Sequence, residues 1–313
     1  MTLVPASPIA RSDTDALLSK PYIGRFAPSP SGPLHFGSLI AALGSYLQAK
    51  ANQGKWLVRI EDIDPPREVA GADKAILASL EQYGLTWDGP VRYQSQQTEH
   101  YEYVLTQLRQ QALTYACQCT RAMIKQQGGL YLGTCRHLGL TDKNNAIRLH
   151  VKQGITEFTD KLQGRVKINP AMANEDFIIK RKDGLYAYNL AVTLDDIDQG
   201  ITEVVRGADL LEPTARQIGL MQLLNAPVPD YVHLPLAVTK PGFKLSKQNH
   251  APAISDQDIR QTTWRALAFL GQQPPKALME EPQENILNWA ISNWQLDKVA
   301  HQTEQLLTTE PTT

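Results

Sequence analysis

The chain contains three cysteines, and they stand close together as Cys117-x-Cys119 followed by Cys135. Three thiols cannot build a disulfide framework. A C-x-C pair with a third thiol nearby suits a metal such as zinc, which takes four N, S or O ligands in a tetrahedron. His137 is the fourth ligand that chemistry alone offers. Three unliganded buried thiols are the bland alternative, and the C-x-C pairing argues against it. So few cysteines also point to a reducing, cytoplasmic setting.

A second stretch with chemical potential is Gly24-Arg25-Phe26-Ala27-Pro28-Ser29-Pro30-Ser31-Gly32-Pro33-Leu34-His35-Phe36-Gly37-Ser38. It contains neither the dinucleotide G-x-G-x-x-G nor the P-loop G-x-x-x-x-G-K-[ST]. A loop that opens a helix still binds anions through helix N–H groups and the helix dipole. There His35 can donate to a phosphate, and Gly37 lets a flat base approach the backbone. Far downstream, Lys244-Leu245-Ser246-Lys247-Gln248 lies in a Gly/Pro-flanked loop. Two such lysines could clamp a departing polyphosphate, although alone a K-x-S-K string is usually plain surface.

These residues need a frame to position them. A short apolar run over 22–27 precedes the Pro-rich loop, and Leu39, Ile40, Leu43, Tyr46 and Leu47 recur at helical spacing over 34–51. A buried-strand pattern follows at 56–60. Strand, loop, helix and strand form the βαβ unit of a parallel sheet. Helices are expected near 68–83 and 97–113. Strand-like runs return at 176–180, 186–192, 202–205 and 231–238, with a helix near 213–224. The simplest architecture is an α/β, doubly wound parallel sheet split by a metal-bearing insertion. The expected divisions are a loose extension (1–20), the first half of the sheet domain (21–114), the insertion (115–175), the second half (176–240), and a Lys-rich loop with a short helical C-terminal part and fraying end (241–313).

Composition sets outer limits. With 313 residues, 42% hydrophobic and 20% charged, the chain is an ordinary globular protein of about two domains. It has no apolar run long enough to span a membrane and no secretory h-region at its start. The net charge is −1, but residues 121–182 carry 12 Lys and Arg against 5 Asp and Glu, while 252–313 carry 4 against 8. The basic segment suits a polyanion; on charge alone a solvated face balanced by acidic neighbours is the preferred explanation.

The two strings together resemble the HIGH and KMSKS signatures of class I aminoacyl-tRNA synthetases, with Ser38 in place of the second His. Residues 24–37 resemble the glutamyl branch's G-R-F-A-P-S-P-x-G-x-L-H-x-G. Arg59-Ile60-Glu61-Asp62-Ile63-Asp64 is similar to its R-I-E-D-T-D. Tyr188-Asn189-Leu190-Ala191-Val192 and Val205-Arg206-Gly207-Ala208-Asp209 match its later strings. After the Lys loop too few residues remain for the long anticodon-binding region of a glutamyl-tRNA synthetase. With the Cys-x-Cys…Tyr-x-x-x-Cys pattern added, the chain resembles the glutamyl-Q tRNA(Asp) synthetase family.

The resemblance implies tRNA-independent activation of L-glutamate by ATP and transfer to queuosine at the wobble position of the tRNA(Asp) anticodon. It implies a class I catalytic domain of Rossmann type, a cytoplasmic monomer, Mg²⁺ with ATP, and one structural zinc. By residue, it assigns glutamate to Arg25, Phe26, Ala27, Pro28, Ser29, Glu61, Tyr188 and Arg206, and ATP to His35, Gly37, Lys244 and Lys247, with His35 and Lys247 catalytic. It assigns zinc to Cys117, Cys119, Tyr131 and Cys135, so Tyr131 is the expected fourth ligand, with His137 as the alternative. Val192 stands where some relatives carry Asn. A local ion-pair network is the competing account of Arg59, Glu61 and Asp62. Two competing functions are a truncated glutamyl-tRNA synthetase charging a tRNA 3′ end and a catalytically silent RNA-binding paralogue.

Overall fold

The computed structural model describes residues 21–245, 252–254 and 257–307, with only the backbone of Lys244. Expectations for 1–20, Lys247 and the Thr-rich end lie outside these residues.

Strand β1 (Ile23–Phe26) leads through the Pro-rich loop into helix α1 (Phe36–Ala51), and β2 (Lys55–Ile60) runs parallel to β1. The apolar positions read from spacing, Leu39, Ile40, Leu43, Tyr46 and Leu47, are all buried. They meet Trp56 of β2, whose ring lies edge-on to Tyr46 and stacks on Phe26, while its Nε1 donates to Ser45 Oγ at 2.9 Å. Helix α2 (Ala72–Gln82) starts later than its apolar pattern suggests, because Pro65–Arg67 form a 3₁₀ turn and Gly71 sits at φ +76°. Strand β3 (Arg92–Tyr93) extends the sheet in parallel, and α3 (Thr98–Gln110) follows.

Next comes an antiparallel region. Strands β4 (Thr114–Cys117), β5 (Ala146–Leu149) and β8 (Ile178–Lys180) form one sheet in the order β4–β5–β8. Between them lie α4 (Arg121–Gln126), the hairpin β6 (Glu157–Asp160) and β7 (Gly164–Lys167), and the single turn α5 (Pro170–Ala173). The run expected at 176–180 therefore joins this antiparallel sheet and not the parallel one.

The run expected as a strand at 186–192 is instead the start of helix α6 (Tyr188–Asp198). Seven consecutive residues, Leu190 to Asp196, are buried, so the helix is packed on all sides and shows no 3.6-residue stripe. Strand β9 (Glu203–Gly207), α7 (Leu211–Leu223) and β10 (Asp230–Leu234) complete the parallel part. Thr202 N donates to Ile23 O at 2.9 Å and ties the start of β9 to β1. The single run expected at 231–238 divides at Pro235 into β10 and β11 (Leu236–Lys240). β11 pairs with β12 (Phe243–Lys244) and, beyond α8 (Ile259–Phe269) and α9 (Gln283–Asn293), with β13 (Glu304–Leu306). The C-terminal part thus also contributes a strand. Among the described residues no helix is long and apolar enough to cross a membrane.

Candidate active site

The connections leave β1 toward β2 on one side and β9 toward β10 on the other, so the sheet has a switch point between β1 and β9. Ligands of open α/β sheets bind where strand carboxyl ends open such a crevice. Arg25 and Phe26 of β1, Glu61 just past β2 and Arg206 near the end of β9 lie at these ends. Glu61 N donates to Pro28 O at 3.0 Å, which seats the Pro-rich loop beside it. Phe26 itself is a core residue stacked on Trp56, so only its backbone can face a ligand. Ser29 is exposed, and Ala27 and Pro28 are half-buried.

The cations and acids here are buried together. Arg25 donates through Nε and Nη2 to the two carboxylate oxygens of Asp196 at 3.0 and 3.2 Å. Arg59 Nη1 also reaches Asp196, at 2.8 Å, and Gln199 at 2.8 Å. Burial would push the Asp196 carboxyl up, but the two guanidiniums outweigh it and hold it at about 2. Arg59 Nη2 is 3.4 Å from Glu61 Oε1. Burial raises the Glu61 carboxyl against the pull of Arg59 and Arg25. The local ion-pair reading of Arg59 with Glu61 therefore holds, but Asp62 is not in it and instead accepts from Ser95. Asp195 and Asp196, which the sequence reading missed, are the larger part of the network. Two adjacent acids inside the apolar run 190–197 were the available signal.

Arg206 differs from its neighbours. Its bonded partners are all neutral: His233 Nε2, Thr214 Oγ1, Gln217 Oε1, Leu210 O and, at 3.4 Å, Tyr188 Oη. Among the described residues no carboxylate pairs with it. A buried guanidinium with Nε and Nη2 engaged, Nη1 held only by a long contact and no counter-ion is suited to receive an anionic ligand. Tyr188, at the start of α6, has its hydroxyl pKa raised by burial and so stays protonated.

On the other side of the loop His35 caps α1. Its Nδ1 accepts from Ser38 N at 3.2 Å, so in the neutral ring the proton lies on Nε2, the nitrogen able to donate outward. A Cβ on Gly37 would lie 3.1 Å from the His35 ring and 3.3 Å from Leu245 O. Leu245 N donates to Ala237 O, and Ile254 N to Leu34 O. The described ends of the Lys loop thus both lie against the His35 segment.

The family described as "tRNA synthetases class I (E and Q), catalytic domain" matches residues 23–281. A glutamyl-Q tRNA(Asp) synthetase of Serratia proteamaculans is 61% identical over 89% of this chain and 92% of its own length. That of Photobacterium profundum is 59% identical over 92% of this chain and 93% of its own. The chain belongs to the glutamyl-Q tRNA(Asp) synthetases. It is accordingly a ligase-type enzyme of the class I tRNA synthetases. Its fold is similar to that of a glutamate tRNA ligase from Elizabethkingia meningosepticum solved in complex with its amino acid, with a TM-score of 0.77 over 92% of this chain and 67% of that one, at 24% identity.

The three cysteines form a second centre. Their sulfurs lie within 4.8 Å of one another, and Tyr131 packs among them with its hydroxyl accepting from Cys135 N at 2.9 Å. His137 is exposed and outside the cluster, because the turn after Cys135 carries it to solvent. The fourth position that chemistry alone gave to His137 is therefore not supported by its placement. Burial and the neighbouring Cys135 sulfur push the Cys119 thiol up to about 12. Burial also opposes ionisation of Cys117, but Arg148, whose Nε donates to its sulfur at 3.2 Å, lowers that thiol. Sulfurs this close, one of them beside a guanidinium that lowers its thiol, fit a divalent metal that displaces their protons. Arg148, unnoticed in the sequence, also lies over the Tyr131 ring, 3.7 Å from its centroid.

Proposed function

We propose that this enzyme activates L-glutamate with ATP in the absence of tRNA and transfers it to queuosine at the wobble position of the tRNA(Asp) anticodon. The observation that carries the glutamate pocket is the uncompensated Arg206 beside buried Glu61 and Arg25 at the strand ends. In this pocket Arg25 and Arg206 take the carboxylates and Glu61 takes the ammonium. Phe26 (through its backbone), Ala27, Pro28 and Ser29 border it, and Tyr188 supplies a hydroxyl and a wall. His35 donates from Nε2 to the α-phosphate, Gly37 admits the adenine side, and Lys244 and Lys247 meet the departing pyrophosphate. Attack by a substrate carboxylate on phosphorus needs alignment and charge neutralisation and no protein nucleophile. Mg²⁺ accompanies ATP. Cys117, Cys119, Tyr131 and Cys135 hold one zinc, which when bound closes the insertion as a structural centre.

Pyrophosphate exchange with glutamate and ATP, run without RNA, tests activation. Radiolabelled glutamate is then offered to tRNA(Asp) with and without queuosine, before and after enzymatic removal of the 3′-terminal adenosine. Exchange without RNA, and labelling that needs queuosine and survives removal of the 3′-terminal adenosine, are expected. Labelling indifferent to queuosine and abolished by removal of that adenosine would establish the 3′-end synthetase reading instead. No exchange with or without RNA would favour the silent RNA-binding reading.

A further inference from the structure

Arg206 is held by a chain of hydrogen bonds that reaches a different part of the fold. Its Nη2 donates to Thr214 Oγ1 and Gln217 Oε1, both at 2.7 Å, and its Nε donates to His233 Nε2 at 3.1 Å. Thr214 Oγ1 also lies 2.7 Å from Leu210 O, to which it donates, and 3.1 Å from His233 Nε2. A guanidinium N–H can only donate, so Nε2, which receives Arg206 Nε, is a bare acceptor and the imidazole proton is on Nδ1. Nδ1 lies 2.7 Å from Asp160 Oδ2 at the end of the β6 strand. The other Asp160 oxygen, Oδ1, accepts from Leu162 N at 2.9 Å, Gln163 N at 2.8 Å and His233 N at 3.3 Å. Asp160 and His233 are both fully buried.

We propose that Asp160 and His233 are positioning residues for Arg206: Asp160 fixes the imidazole tautomer, and the tautomer aims the guanidinium at a substrate carboxylate. With Nε and Nη2 engaged, the edge at Nη1 beside Tyr188 is the one left for the ligand. Burial, working against Asp160, keeps the His233 imidazole below its ordinary range and so neutral. The proposal rests on the assignment of Arg206 to glutamate.

The near-isosteric change Asp160→Asn is the sharp test. Its carbonyl oxygen is pinned at the Oδ1 position by three backbone N–H groups, so its NH₂ faces Nδ1. The imidazole proton must then move to Nε2, where it opposes the Arg206 N–H. Loss of this bond is expected to raise KM for glutamate about tenfold in pyrophosphate exchange, with KM for ATP unchanged. Side-chain ¹⁵N spectra should show His233 as the Nδ1–H tautomer in the native enzyme and Nε2–H in Asp160→Asn. His233→Gln places an amide oxygen at the Nε2 position, so adding it to Asp160→Asn should bring the glutamate KM back down. Native His233 in the Nε2–H form, or no rescue by His233→Gln, overturns the proposal. If Asp160→Asn does not fold, His233→Gln and His233→Leu decide: only the Leu variant should raise the glutamate KM, and equal values overturn it. Arg206→Gln separates the two readings. An unchanged glutamate KM there removes the pocket assignment, whereas a raised one with Asp160→Asn unaffected removes the positioning role alone.

Discussion

His35 is assigned two tasks at one position. Its Nδ1 caps α1, and the proposed contact with the nucleotide falls to Nε2, so removal would mix a stability loss with the proposed catalytic one. The two can be separated. His35→Ala should lower adenylate formation roughly 10²–10³-fold, the usual consequence of losing one transition-state donor, and also cost about 1 kcal/mol of cap energy. His35→Ser restores a cap acceptor but has no side chain long enough to reach a phosphate. It should therefore recover stability in urea unfolding and remain as slow as Ala in pyrophosphate exchange. Lys247→Ala, removing charge from the departing pyrophosphate, is expected to fall in the same range. A wild-type exchange rate in any of the three would remove the assigned role. At this scale the sequence offers candidates through strings that resemble a family's. Arg25, Glu61 and Arg206 could be named because they stand in such strings, and their charges are of the kind the proposed glutamate pocket needs. Asp195, Asp196, His233 and Asp160 could not, because their importance comes from partners 27 to 171 residues distant in the chain. No local spacing encodes such a pairing.

Burial alone does not separate the legible elements from the obscured ones, since α1 is buried over eight consecutive residues, Ala42 to Ala49, and α6 over seven. Apolar residues at helical spacing marked α1, which was found within two residues, whereas Tyr186, Tyr188, Leu190 and Val192 alternate along the chain and made the start of α6 read as a strand. The region of the cysteine cluster is a third case: its three thiols stood out through donor chemistry, with little regular structure to mark it. Cys117 ends β4, while Cys119, Tyr131 and Cys135 stand outside any strand, so a metal would supply what hydrogen-bonded ladders do not. Structural zinc contributes folding energy directly. Cys135→Ser is expected to lose the metal, and chelation should release residues 115–143 to hydrogen exchange before the parallel sheet. The fourth ligand can be read in the same experiment. Tyr131→Phe removes the hydroxyl and keeps the ring beneath Arg148, whereas His137→Ala touches only an exposed side chain. Metal analysis should find zinc retained in His137→Ala and lost or weakened in Tyr131→Phe. Freshly purified native protein without zinc would remove the assignment altogether.

Over the whole molecule, the basic excess of residues 121–182 divides into two kinds of charge. Arg136, Lys161, Arg165, Lys180 and Arg181 are paired with Asp176, Glu203, Glu157, Glu102 and Asp64 respectively, and Arg148 is buried against Cys117. These six already have partners within the protein, although Lys161, Arg165 and Arg181 stay well exposed. Arg121, Lys125, Lys143, Lys152, Lys167 and Lys182 are exposed, with no ion pair among the described residues. The usable positive charge is therefore about half of what the composition suggests. Exposed Leu132 and Leu138 lie on the same insertion and could meet unstacked bases. This division bounds the salt dependence of RNA binding. Each phosphate neutralised on a single-stranded loop contributes about −0.7 to the slope of log K against log salt, so six cations allow a slope no steeper than about −4. Arg121→Glu with Lys125→Glu should flatten that slope by about 1–2 units and weaken binding of an anticodon stem-loop. RNA-free pyrophosphate exchange should stay at the native rate, because neither residue touches the sheet's strand ends. Arg165→Gln, which breaks an exposed ion pair on the β6–β7 hairpin, should leave the slope where it was. A slope unaffected by the double change, or one altered equally by Arg165→Gln, would place the RNA on another face of the enzyme.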